Sequence, residues 1–98
     1  MRLVFADEAE QDLEQIGDYI AEDNPIRAVS FVKELRAACY GLLEAPLRFA
    51  ALEGLEAKGY RRRIHGRYAI VYTIAEQDVL IVRVLSVAMD LKSILTEN

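Results

Sequence analysis

Hydrophobic and polar residues recur with two different periods along this chain, and the change of period falls near its middle. Met1-Arg2-Leu3-Val4-Phe5 reads as a short strand. Ala9, Leu13, Ile16 and Ile20 then recur at spacings of four, three and four, with Tyr19 beside them. This is one apolar stripe on an otherwise acidic helix, predicted over about residues 7–22. Asp7 and Glu10 approximate a capping box at its start, and either acid suits the positive end of the helix dipole. Asp23-Asn24-Pro25 punctuates, with Asn24 placed as N-cap and Pro25 at the first helical position. Phe31, Leu35, Ala38 and Leu42 form one row of a second helix, predicted over about residues 25–44, and Val32, Cys39 and Leu43 form another. With Pro46 as its stop, that helix is apolar on more than one side. It can pack on the first as an antiparallel hairpin and still bury a second face.

Residues 45–58 read as a connection pinned to the core by Leu47, Phe49, Leu52 and Leu55. From Tyr60 the period becomes two. Tyr60 to Ile64 is a predicted strand, and His65-Gly66-Arg67 a turn in which Gly66 is free to take positive φ. Tyr68, Ile70, Tyr72 and Ile74 alternate with Ala69, Val71 and Thr73 in the next strand. Glu76-Gln77-Asp78 turns into the β-branched run Val79 to Leu85, typical of a central strand. A tail, Ser86 to Asn98, can form a helical turn through Leu91, Ile94 and Leu95. The expectation is an α+β domain: an N-terminal strand, an antiparallel helical hairpin and a three-stranded antiparallel meander, making a twisted four-stranded sheet with helices on one face. The other face is expected to stay partly open.

The 98 residues suffice for one domain, 1–98, with a modest core. An apolar content of 53% argues against disorder, and no apolar run approaches the about 20 residues a membrane span needs. The N-terminus has neither the length nor the cleavage pattern of a signal peptide. The single cysteine, Cys39, cannot form an internal disulfide, which fits a reducing cytoplasm, and its helical apolar setting marks an inert core thiol. The net charge of −4 is uneven: residues 1–56 carry five Lys/Arg against twelve Asp/Glu, and residues 57–98 seven against four. Any polyanion contact therefore belongs to the second half.

Most chemistries lack their residues. One His and one Cys far apart make no metal site. The acids of the first helix, Asp7, Glu8, Glu10, Asp12, Glu14 and Asp18, read as a solvated face. None of Ser30, Thr73, Ser86, Ser93 and Thr96 sits in a nucleophile elbow, and no Gly-rich phosphate loop occurs. What remains is basic: Lys58, Arg61, Arg62, Arg63, His65 and Arg67. Alternation sends Arg61 and Arg63 to one face and Arg62 to the other. The cluster reads as a charge-guarded edge strand, as a counterweight to the acidic helices, or as a docking patch for an acidic partner or nucleic acid. Arg83 interrupts an aliphatic strand. On the open face it would form an interface centre, whose truncation to Ala should leave folding intact; the other reading is satisfied packing against an acid. A pocket bringing His65 together with two or more cations would instead suggest catalysis.

These residues together resemble the RelE/ParE superfamily of toxins from bacterial toxin–antitoxin pairs, and its ParE branch in particular. The resemblance covers almost the whole chain. It rests on Ala9, Asp12-Leu13, Ile16 and Tyr19-Ile20; on Asn24-Pro25, Ala28, Phe31, Leu42 and Pro46; and on Gly59-Tyr60-Arg61, Gly66, Tyr68, Ile70, Tyr72, Ile81 and Arg83-Val84-Leu85.

That resemblance implies a small cytoplasmic toxin neutralised by a ParD-like ribbon-helix-helix antitoxin in a hetero-oligomer, touching DNA only through the antitoxin. It implies a non-enzymatic poison of DNA gyrase, with no catalytic residue, metal, cofactor or membrane. Arg61, Arg62, Arg63, Arg83 and Met89 are then the target-binding set, and Tyr19, Phe31, Tyr68 and Tyr72 the antitoxin-binding set. The alternatives are a RelE-like ribosome-dependent mRNA interferase, or an attenuated toxin acting only as an antitoxin-binding module. Against the interferase stand Ala69 where that branch places arginine, and the lack of any tyrosine after Tyr72. The chain departs from the ParE pattern at Ser86, where His is frequent, and at Met89, where Arg is frequent.

Overall fold

The first strand, β1 (Arg2–Phe5), runs straight into helix α1 (Asp7–Ala21), and α1 turns back through Glu22–Asn24 into α2 (Pro25–Gly41). A computed structural model describes residues 1–96; the last two residues of the predicted tail lie outside the described residues. Beyond α2 a loop with a 3₁₀ turn at Glu56–Lys58 leads to β2 (Arg61–His65), β3 (Tyr68–Ala75), β4 (Asp78–Ser86) and a terminal helix α3 (Leu91–Thr96). The sheet order is β1-β4-β3-β2. β2, β3 and β4 form the antiparallel meander, whereas β1 lies parallel to β4, so the sheet is mixed.

Local chemistry sets several boundaries. The Asn24 side chain accepts the Arg27 N–H at 3.0 Å and Pro25 opens α2, a cap that contributes about 1 kcal/mol. The expected capping box at α1 does not form: its N-cap is Ala6, with no side-chain hydrogen bond. Asp7, Glu8 and Glu10 instead lie in the first turn, facing the positive end of the dipole. α2 stops at Gly41 rather than residue 44, ahead of Pro46, and at its end Arg63 Nη1 donates to the Ala38 carbonyl at 2.8 Å. That carbonyl is the acceptor an α-helical Leu42 N–H would need, and Leu42 bonds Cys39 O instead. Further along, His65 belongs to β2 and Asp78 to β4, so the hairpin turns are only Gly66-Arg67 and Glu76-Gln77. Glu76 takes φ 56° in its turn, a conformation more often given to glycine.

Two cores flank the sheet. Leu13, Ile16, Leu35, Leu42, Ile70, Tyr72, Val79, Ile81 and Val84 fill the helical side. On the opposite side, Leu52, Leu55, Ala69, Val71, Leu85, Leu91 and Leu95 form a second buried cluster. The face expected to stay open is therefore covered, by the loop after α2 and by α3. Of the four loop residues expected to pin the connection, Leu52 and Leu55 are buried and Phe49 packs on the helical core, but Leu47 is 67% exposed. Among the described residues no helix is long and apolar enough to cross a membrane.

Candidate functional site

A β-bulge in β4 creates the main polar feature of the helical side. Val71 lies opposite Arg83 but Tyr72 lies opposite Ile81, so Val82 is an extra residue and the alternation breaks there. β1 ends at Phe5, opposite Ile81, leaving the edge of β4 beyond it without a strand partner. Asp12 of α1 supplies that partner. Its carboxylate accepts the Val84 N–H at 2.9 Å, and it accepts Arg83 Nε and Nη2 at 2.8 and 2.9 Å. Arg83 thus does not lie among exposed aliphatics; it packs against an acid, and the hydrogen bond to Asp12 raises its pKa. Asp12 is 7% exposed, not part of a solvated face. Its spacing carried the signal, three residues after Ala9 and four before Ile16, within the apolar stripe.

The pair floors a depression of about 200 Å³ ringed by Tyr19, Tyr68 and Met89. Tyr19 is 69% and Met89 48% exposed. Two residues of the expected target set, Arg83 and Met89, thereby share one place with two of the expected antitoxin set, Tyr19 and Tyr68. Phe31 continues the aromatic surface, its ring 5.7 Å from Tyr68 and 5.7 Å from His65, with the Arg27 guanidinium 5.0 Å above it. Tyr72 does not belong: it is fully buried, its hydroxyl donates to Pro46 O at 2.7 Å, and burial raises its pKa.

The arginine triplet divides as alternation requires. Arg62 is exposed on the face away from the hairpin, bordering a hollow shared with Met89 and Lys92. Arg61 and Arg63 turn toward the helices, where Arg61 Nη1 donates to Phe49 O at 2.6 Å. Arg63 and Arg48 both stack on Phe49, at 5.2 and 5.7 Å from the ring centre. A cleft of about 400 Å³ opens here between α2 and β2, lined by Arg48, Arg63, His65, Glu34 and Glu44 among others. Glu34 pairs with Arg27 and lies 3.5 Å from His65 Nε2, and its pKa is lowered chiefly by the Arg27 hydrogen bond. Arg48, Glu34 and Gly41 could not be found from the sequence alone, since they meet β2 only through the hairpin geometry. Cys39 is fully buried, and desolvation pushes its thiol up to about 12, in keeping with an inert core group. No group of three or more His, Cys, Asp or Glu able to hold a metal occurs among the described residues.

A helical hairpin on one face of a mixed four-stranded sheet, with aromatic and cationic side chains at the rim of the helical layer, defines a particular class of small α+β protein. Residues 3–91 match the description "ParE toxin of type II toxin-antitoxin system, parDE". The chain belongs to this ParE toxin family, and it is the toxin of a type II toxin–antitoxin system. Among solved structures it is similar to a chain of the "Chromosomal ParDE TA system from P. aeruginosa", at a TM-score of 0.77 and 20% identity over 89% of this chain and 96% of that one. At that identity the likeness speaks for the fold. No curated protein sequence matches.

Proposed function

We propose that this toxin acts in the cytoplasm by occupying a surface of DNA gyrase, without itself making or breaking a covalent bond, and that a ParD-like ribbon-helix-helix antitoxin masks it. The observation that carries the reading is the depression in which exposed Tyr19 and Met89 flank the Asp12–Arg83 pair. Aromatic, thioether and arginine groups around a desolvated centre are the composition of binding hot spots. Arg62, exposed on the far side of Met89, extends the same contact. The antitoxin contributes a helical segment to the apolar groove of about 760 Å³ outside the hairpin, where Val29 is 58% exposed, and continues over Phe31 and Tyr68. The operon's DNA is held by the antitoxin.

The test uses purified toxin with gyrase and plasmid DNA. Inhibited supercoiling with accumulation of cleaved DNA is the expected result; untouched supercoiling and cleavage at micromolar toxin would remove gyrase as the target. One feature favours a second reading, mRNA cleavage: His65 shares its cleft with Arg48 and Arg63. Against it, His65 Nε2 lies 3.5 Å from Glu34, and Glu34 and Glu44 on the cleft wall oppose a phosphate backbone. Primer extension on translated messages after induction distinguishes the two, since only the interferase leaves internal cuts.

A further inference from the structure

We infer that the cleft between α2 and β2 is a receptor for a single acidic side chain of the antitoxin, gripped by Arg48 and Arg63 over the Phe49 ring. The inference rests on the antitoxin reading above for the donor's identity, but not for the chemistry of the cleft. Both guanidinium groups stand over one aromatic ring, at 5.7 and 5.2 Å, and neither makes an ion pair with a carboxylate among the described residues. Arg2, Arg27, Arg36 and Arg83 do, whereas Arg61, Arg62 and Arg67, like this pair, have no carboxylate partner among the described residues; what sets Arg48 and Arg63 apart is their shared place on Phe49 and in one cleft. Arg63 spends one N–H on Ala38 O at 2.8 Å and stacks on Phe49, and its other donors have no side-chain or backbone acceptor among the described residues. Gly41 permits this approach, because a Cβ there would lie 2.9 Å from Arg63 Nη1. A planar guanidinium locked by a carbonyl and an aromatic face is pre-organised for a bidentate carboxylate.

The cleft is built for one anion rather than a chain of them. Glu34 and Glu44 sit on its wall, and Glu34 is already occupied by Arg27 and His65. A phosphate backbone running past the cleft would meet Glu34 and Glu44 on its wall, in a chain with net charge −4. A peptide carries its charge at one point. The rest of the cleft is the small-residue flank of α2, Ala37, Ala38 and Gly41, with room for the main chain of such a segment.

The experiment is a nitrogen-15 NMR titration of the intact toxin with N-acetylglutamate methylamide and, separately, with a short DNA duplex. Saturable shifts of the Arg48 and Arg63 Nε–Hε signals are expected with the glutamate mimic, weakened about tenfold in Arg48→Gln, whose exposed position spares the fold. Duplex DNA should leave these signals in place. No saturable shift with the mimic, or tighter engagement of the same signals by DNA, overturns the assignment. A second arm measures affinity for the antitoxin expressed from the toxin's own operon, where Arg48→Glu should raise Kd at least about tenfold. An unchanged Kd sinks the inference while leaving the antitoxin reading intact. Failure of any antitoxin to bind wild-type toxin, with the mimic still bound, removes the antitoxin and keeps the carboxylate chemistry.

Discussion

Replacing Arg83 by Met should lower stability by about 2–3 kcal/mol, because it leaves the Asp12 carboxylate buried with the Val84 N–H as its one remaining partner among the described residues. Asp12→Asn keeps an acceptor for that N–H and should cost less. Urea denaturation of the two variants settles the order; a neutral Arg83→Met would mean that water takes the vacated place and that the pair does not organise the bulge. At the same scale, Cys39 and Tyr72 make the fold sensitive to alkali. In the unfolded chain the thiol loses its proton near 9.0, whereas in the folded chain it holds it to about 12. Between those values the native state binds more protons, so stability declines as pH rises, by up to about 1.4 kcal/mol per unit from this group. The Tyr72 phenol, also raised by burial, adds in the same direction. Cys39→Ala should flatten the decline in denaturation midpoints measured above pH 9.0; an unaltered slope would mean the thiol ionises in place.

At the scale of elements, α3 is the piece whose loss should be felt out of proportion to its six residues. Leu91 and Leu95 close the second core over Ala69, Val71 and Leu85. Leu91→Ala and Leu95→Ala should each cost about 2–5 kcal/mol and expose apolar surface, read as dye binding and faster amide exchange in β3. The tail's helical turn was legible from Leu91, Ile94 and Leu95, both long helices from their apolar stripes, and the meander from the alternation of β3 and the β-branched run of β4 between turn residues. What α3 covers was not legible, since a six-residue helix has no period long enough to declare which face of a sheet it joins. The same limit applies to Arg83. Strict alternation places it beside Val79 and Ile81, and the bulge at Val82 has no glycine or proline to announce it. Alternation puts Arg61 and Arg63 on one face, where the structure has them, but their partners, Phe49 O and Ala38 O, come from a loop and a helix end that no local pattern positions. The candidate site was therefore readable as a set of residue types and not as a geometry: Tyr19, Tyr68, Arg83 and Met89 converge, while Tyr72 of the same tyrosine alternation is sealed in the core.

At the scale of the whole molecule, a binding toxin differs from a folding unit in where it tolerates substitution. Core positions and the Asp12–Arg83 pair support the fold, so their variants lose activity for uninformative reasons. Tyr19 and Met89 project from the surface at 69% and 48% exposure, and replacing either by Ser should change stability by no more than about 0.5 kcal/mol. If the depression is the contact with gyrase, each variant should relieve growth arrest on induction, and together they should raise the toxin concentration needed to trap cleaved DNA by about tenfold or more. Antitoxin affinity, measured on the same proteins, separates the two surfaces. A loss of toxicity with antitoxin binding retained assigns the depression to the target. A loss of antitoxin binding with toxicity retained assigns it to the antitoxin, and loss of both means that neutralisation works by direct overlap. Full toxicity and full antitoxin affinity in the double variant, folded to the wild-type midpoint, would move both contacts elsewhere on the surface and leave the Asp12–Arg83 pair a purely structural clasp.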